Sequence, residues 1–177
     1  MTNSYESHSA AEHRRTALGN VGCALVTVSD TRTVDNDASG LALSELLAAA
    51  GHKVIERVIV PDEPVELCRL VTRLVAVTEV AAILLTGGTG IAPRDQTPEA
   101  LRGLFTREMP GYGELLRMLS YQEIGAAAML SRACGGLIGQ TLVLTMPGSP
   151  AAVRLAMEKL ILPELAHMVG LAARSEE

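Results

Sequence analysis

Tryptophan is missing from this sequence, and one Phe and three Tyr are the only aromatic residues among 177. The core must therefore be Leu, Val, Ile, Ala and Met, and no aromatic platform is left for stacking single-stranded nucleic acid. Cysteine is scarce as well. Cys23, Cys68 and Cys134 are odd in number and far apart, and none belongs to a CxxC pair. A disulfide framework and a zinc site are thereby excluded. Each thiol sits in an apolar run (CALVTV, ELCRLV, SRACGGLIG), where Cys acts as a small buried hydrophobe. Basic residues number 15 against 20 acidic ones, for a net charge of −5, and they form no cluster. No nucleic acid and no membrane is expected as a partner. No apolar run approaches the ~20 residues of a spanning helix. Met1 to Leu18 carries His, Glu, Ser and Arg where a secretory leader would be apolar, so it reads as a mobile N-terminal arm. A reduced, cytoplasmic protein is the expectation.

Apolar residues are plentiful, at 48% against 20% charged. That balance excludes disorder of the whole chain, and the length fits one domain. We place it at residues 19–170, with a short C-terminal tail at 171–177. The mean hydropathy of +0.26 is high for a small monomer, which points to subunit contacts. The apolar C-terminal helix is the expected contact element, with a core helix as the alternative.

The pattern alternates strand and helix. Val21–Val28 is a continuous β-branched run, the mark of a strand covered on both faces. A polar acidic loop with Asp30, Asp35 and Asp37 follows, and Ser39-Gly40 opens a helix that stops at Gly51. Val54–Val60 reads as a strand, Glu63–Val77 as a helix, and Ala81–Thr86 as a third, buried strand. Thr97 as N-cap with Pro98 behind it starts another helix. Short helices are expected over Gly113–Leu119 and Tyr121–Ala127. Strands over Met129–Ile138 and Thr141–Met146 would form a hairpin around Gly139-Gln140. A last helix runs Ala151–Val169, with a break at Pro163. The predicted fold is a three-layer α/β/α sandwich with a mainly parallel sheet and a late antiparallel strand.

Ligands of such folds bind beyond the carboxyl ends of the strands. Four loops qualify: SDTRTVDND, PDEP, GGTGIAPRD and PGSP. In the third, Gly87, Gly88, Thr89 and Gly90 can bring backbone N–H groups close to an anion, or can simply form a tight turn. No Gly-Lys-Ser/Thr follows, so this is not a Walker loop, and Pro93 rules out a dinucleotide fingerprint. Asp62 and Asp95 fall on the same edge. Two carboxylates beside a phosphate loop are what Mg²⁺ takes, but each could equally cap the helix that follows it. Arg94 is an anion donor or a partner for an acid. Ser149 precedes a helix start, where N–H groups favour anions. His52 and His167 are isolated, and no catalytic triad can be placed.

Taken in order, these segments resemble a known family. VSDTRTVDNDASG, VIVPDE, LLTGGTGIAPRDQTPEAL, MPGYGELLRMLS, MLSRACGG and MPGSPAAVRLAMEKLILPELAHMVG are similar to the molybdopterin-binding family that includes MoaB and MogA, with the MoaB branch the nearer. The resemblance spans about Val21 to Gly170. It implies a ligand, molybdopterin, that ends in a phosphate, and assembly as a homotrimer or a dimer of trimers. In the adenylyltransferase members it implies joining of molybdopterin to AMP from ATP, with Mg²⁺ and release of pyrophosphate. The product then goes to a molybdenum-insertion protein. The two aspartates that reaction requires correspond to Asp62 and Asp95, as catalytic residues and metal ligands. Ser39, Gly40, Gly87, Gly88, Thr89, Gly90, Arg94, Pro147, Gly148 and Ser149 would line the ligand. A non-catalytic molybdopterin carrier of the same fold is the alternative. One departure stands out: MogA-type loops carry a basic pair before the second aspartate, where this chain has Pro93-Arg94.

Overall fold

The computed structural model describes residues 19–174. The expected arm at 1–18 and the end of the expected tail lie outside them. Six strands form one sheet in the order β2-β1-β3-β6-β5-β4. They are β1 (Gly22–Val28), β2 (Lys53–Val60), β3 (Ala82–Thr86), β4 (Arg107–Glu108), β5 (Gly135–Ile138) and β6 (Thr141–Met146). β2, β1, β3 and β6 are parallel, whereas β5 and β4 run antiparallel at one end. The sandwich read from the sequence is therefore the observed fold.

Alternation along the central strands divides the core. Cys23, Leu25, Leu84, Leu142 and Leu144 face one layer. It is covered by α1 (Ala38–Ala49), α4 (Pro110–Ile124), α5 (Pro150–Ala156) and α6 (Leu162–Ala172). Ala24, Val26, Ile83, Leu85 and Val143 face the other. It is covered by α2 (Pro64–Val75) and α3 (Thr97–Arg102). Strands apolar at every position are what burial on both faces requires. In α2 the stripe narrows to Leu67, Val71 and Leu74, while Val65 is exposed.

Several expectations are corrected. The two short helices are one, α4, which continues through a buried Ser120 and ends where Gly125 takes φ 65°. A 3₁₀ turn (Gly125–Leu130) follows it. The predicted Met129–Ile138 strand shrinks to β5 because Arg132 is drawn aside: its N–H donates to the Thr89 carbonyl at 2.8 Å. β4, only two residues long, gave no periodic signal. Gln96, not Thr97, is the N-cap of α3. The hairpin at Gly139-Gln140 forms, with Gly139 at φ 60°. The last helix breaks as Pro163 demands, through a wide π turn at Met157–Ile161, and then continues to Ala172, past the expected tail boundary.

That C-terminal unit buries Met157, Ile161, Leu165 and Val169 in the core. The larger group of exposed apolar side chains lies elsewhere: Leu115, Met118, Tyr121 and Ile124 on α4, with Met129 and Leu130 beyond it.

Candidate functional site

The chain leaves β1 for β2 on one side and β3 on the other, so strand order reverses between β1 and β3. Such a reversal opens a crevice at the carboxyl edge. The loop 87–96 after β3 fills the middle of this edge, with Asp30 after β1 and Asp62 after β2 beside it.

The glycines of that loop are held by close approach. Gly87 has φ 101°, and a Cβ there would sit 2.2 Å from the Val28 carbonyl oxygen. Its N–H donates to the Met146 carbonyl at 3.1 Å and is not available to a ligand. Gly88 has φ 62°, and a Cβ on it would meet Thr97 Oγ1 at 2.1 Å and Asp62 Oδ2 at 2.8 Å. A Cβ on Gly90 would meet Asp95 Oδ2 at 2.6 Å. Asp62 and Asp95, 33 residues apart in the chain, are thus gathered against the same short loop.

Neither aspartate caps its following helix. α2 has Glu63 as N-cap with no side-chain cap. Asp62 Oδ1 takes only a long 3.5 Å approach from the Gln96 N–H. Asp95 Oδ2 accepts from the Ala92 N–H at 3.0 Å, inside the loop. Burial, with the charges of Asp95 and Asp30, raises the Asp62 carboxyl above its ordinary range. Beside it lies Thr97 Oγ1, the one buried side-chain oxygen or nitrogen among the described residues without a hydrogen-bond partner. A cation would relieve the carboxylates, and its water shell would give the orphan hydroxyl a partner. Mg²⁺ fits this donor set, since it takes one or two carboxylates and fills its shell with water and phosphate oxygens. No three His, Cys, Asp or Glu side chains converge among the described residues, so the protein alone would not complete such a shell.

Arg94 does not pair with Asp95. Its Nη2 donates to Asp30 Oδ2 at 2.8 Å and its Nη1 to Glu63 Oε1 at 2.7 Å, which ties the β1, β2 and β3 loops together. This pairing and the Asp62 N–H, 3.1 Å from Asp30 Oδ1, hold the Asp30 carboxyl below its ordinary range.

The PGSP turn joins from the β6 side. The Pro147 carbonyl accepts from Thr86 Oγ1 at 3.0 Å, and the Gly148 carbonyl accepts from Ser39 Oγ at 2.7 Å. Position 148 is close enough to the Gly loop that a Cβ there would touch Gly87 Cα at 3.4 Å. Ser149 Oγ accepts from the Ala152 N–H as the N-cap of α5. Gly40 is turned inward instead, against Asp37 Oδ2 and Arg57 Nε. Asp37 is structural. It is buried, accepts from Thr27 Oγ1 and the Gly40 N–H, and pairs with Arg57 at 2.8 Å.

The thiols stand apart from this chemistry. Burial pushes Cys23 up to about 12 and also raises Cys68 and Cys134; none is poised as a nucleophile. His52 accepts from the Val21 N–H and His167 pairs with Glu164.

Arg132 escaped the sequence reading. It reaches the Gly90 carbonyl through Nε at 2.6 Å, the Asp95 carbonyl through Nη2, and the Glu99 carboxylate through Nη1. Nothing local in SRACGG signals this. A 350 Å³ cavity lies between Arg132 and loop residues Ile91, Ala92, Pro93 and Asp95.

An α/β/α sandwich with glycine backbone and two carboxylates at its carboxyl edge is the frame of a small-molecule binding domain. The chain belongs to the family described as probable molybdopterin binding domain, which matches residues 24–167. It is 51% identical over 161 residues to molybdenum cofactor biosynthesis protein B of Bacillus cereus, covering 90% of this chain and 95% of that one. A crystal structure of molybdenum cofactor biosynthesis protein B superposes with a TM-score of 0.86 at 51% identity, over 88% of this chain and 98% of the other. The tungsten cofactor synthesizing protein MoaB of Pyrococcus furiosus gives a TM-score of 0.80 at 32% identity, over 89% and 100%. Among the described residues no helix is long and apolar enough to cross a membrane.

Proposed function

We propose that this chain acts in molybdenum cofactor biosynthesis as a molybdopterin adenylyltransferase. The carrying observation is the Asp62–Asp95 pair held against the Gly88–Gly90 loop, with the Thr97 hydroxyl orphaned beside it. In the reaction a terminal phosphate oxygen of molybdopterin attacks the α-phosphorus of ATP. The bond from that phosphorus to the bridging oxygen of the β-phosphate breaks, and pyrophosphate leaves with the electron pair. The attacking phosphate is already ionised at neutral pH, so no side chain need remove a proton. What the site must supply is alignment and charge neutralisation. Free N–H groups of the Gly loop would take one phosphate, and the Ser149 hydroxyl would add a donor from the facing turn. Asp62 and Asp95 would hold Mg²⁺, which when bound neutralises phosphate charge and stabilises the leaving pyrophosphate. The adenylylated product suits transfer to a molybdenum-insertion protein. The exposed apolar side chains of α4 fit burial between copies of this chain, as a trimer or a dimer of trimers.

A second reading, a carrier that binds molybdopterin without adenylylating it, is favoured by one observation. Pro93 brings no charge, and the cation of Arg94 is taken up by Asp30 and Glu63. The test is purified protein with molybdopterin, ATP and Mg²⁺, scored for adenylyl-molybdopterin by chromatography beside Asp62→Ala and Asp95→Ala. Product from the wild type and little from either variant supports the enzyme. Pterin binding without product from any of the three supports the carrier.

A further inference from the structure

Arg132 is bound to the loop almost entirely through carbonyl oxygens, and a trans peptide turns its carbonyl and the next N–H in opposite directions. No cis bond occurs among the described residues. Three successive carbonyls are tied down: Gly88 to the Thr97 N–H at 3.2 Å, Thr89 to the Arg132 N–H at 2.8 Å, and Gly90 to Arg132 Nε at 2.6 Å. The N–H groups of Thr89, Gly90 and Ile91 are therefore turned away from those anchors. Among the described residues nothing accepts from them. Free N–H groups on successive residues are donors from which an anion-binding concavity can be built.

The same side chain reaches the metal side of the site. Its Nη2 donates to the Asp95 carbonyl, and the N–H of that same peptide, on Gln96, points at Asp62 Oδ1. The guanidinium thus fixes the peptide that carries the Ile91 N–H and polarises the peptide that faces Asp62, while the main-chain N–H of Arg132 fixes the peptide that carries the Gly90 N–H. With Glu99 on its remaining arm, the side chain is held in place and 30% exposed.

We propose that Arg132 is the positioning residue of the phosphate loop: it shapes the loop through the Gly90 and Asp95 carbonyls with its side chain and the Thr89 carbonyl with its main-chain N–H, and does not itself take the phosphate. This rests on the reading of the loop as a phosphate site. A fork is essential to such a role. Lysine keeps the charge but has no planar array of donors to reach two carbonyls and a carboxylate at once.

The test compares wild type, Arg132→Lys and Arg132→Met in two measurements. The first is hydrogen exchange of the amides of Ala92, Asp95 and Thr97, which are bonded within or to the loop. The second is calorimetric titration with inorganic pyrophosphate and Mg²⁺. Both variants should exchange these three amides at least roughly tenfold faster while the amides of β1 and β3 stay protected. Both should lose roughly tenfold or more in pyrophosphate affinity, as expected for a lost set of charge-assisted bonds. Unchanged loop exchange in Arg132→Met overturns the proposal. So does wild-type affinity in Arg132→Lys, because charge alone would then suffice. If the wild type binds no pyrophosphate while the variants still loosen the loop, the phosphate reading fails and the positioning role stands.

Discussion

Ser39 and Gly148, 109 residues apart, are joined by a hydrogen bond of 2.7 Å from the Ser39 hydroxyl to the Gly148 carbonyl. It couples the start of α1 to the turn after β6, and through the 148–87 contact to the Gly loop. Ser39→Ala should destabilise the fold by about 1 kcal/mol, the net value of one such bond. Urea unfolding measures this, and an unchanged midpoint would mean the bond carries no net stability.

Gly88→Ala should do more damage than Gly51→Ala, although both residues have positive φ. A Cβ in the left-handed region costs about 1–2 kcal/mol wherever it is. At Gly51 nothing lies within 4 Å, so that is the whole effect. At Gly88 the new methyl collides with Thr97 Oγ1 and crowds Asp62. Paired unfolding curves should show the larger loss for Gly88→Ala, and only this variant should lose pyrophosphate binding.

Asp62→Asn should raise the melting temperature at pH 7 and, if the enzyme reading holds, abolish turnover. Burial and the neighbouring carboxylates lift the native pKa of Asp62 above its unfolded value. Ionisation therefore costs stability, fully so once the pH exceeds the native pKa. The variant's gain should be largest at neutral pH and should vanish below the ordinary carboxylate range near ~4. Melting scans of metal-free protein across pH check it; a lower melting temperature at pH 7 would contradict it.

Asp37→Ala should behave in the opposite sense. Burial opposes ionisation of Asp37 most strongly, but Arg57, the Gly40 N–H and Thr27 together outweigh it and hold the carboxyl low. Its contribution is present above the unfolded pKa and lost as pH falls through the native one. Because Arg57 is partly exposed, we expect a loss of about 2–4 kcal/mol at pH 7. Denaturant curves should show this gap closing toward pH 3.

Arg94→Ala tests whether the cation now held by Asp30 and Glu63 also serves a phosphate. Its partners are exposed and screened, so stability should change little. If the enzyme reading holds, the KM for ATP should rise several-fold with kcat less affected, as Arg94 exchanges a carboxylate for a phosphate. Steady-state kinetics at two salt concentrations would reveal it.

Much of this protein is legible in its residues alone. Continuous apolar runs such as VGCALVTV, AAILLT and TLVLTM have to be buried on both faces, which demands a parallel sheet between helix layers. Gly and Pro mark the turns, and the rule that ligands meet the carboxyl edge selects the four loops. Local patterns carry that information because side-chain periodicity and backbone strain act over a few residues. The tertiary structure alone decided which polar groups meet. Arg94 passes over its neighbour Asp95 for Asp30 and Glu63, Asp62 and Asp95 face one glycine loop instead of capping helices, and the Thr97 hydroxyl is buried without a hydrogen-bond partner among the described residues. Arg132 reaches back 42 residues to the Gly90 carbonyl. Such contacts depend on how strands order themselves in the sheet, and no spacing along the chain encodes that order.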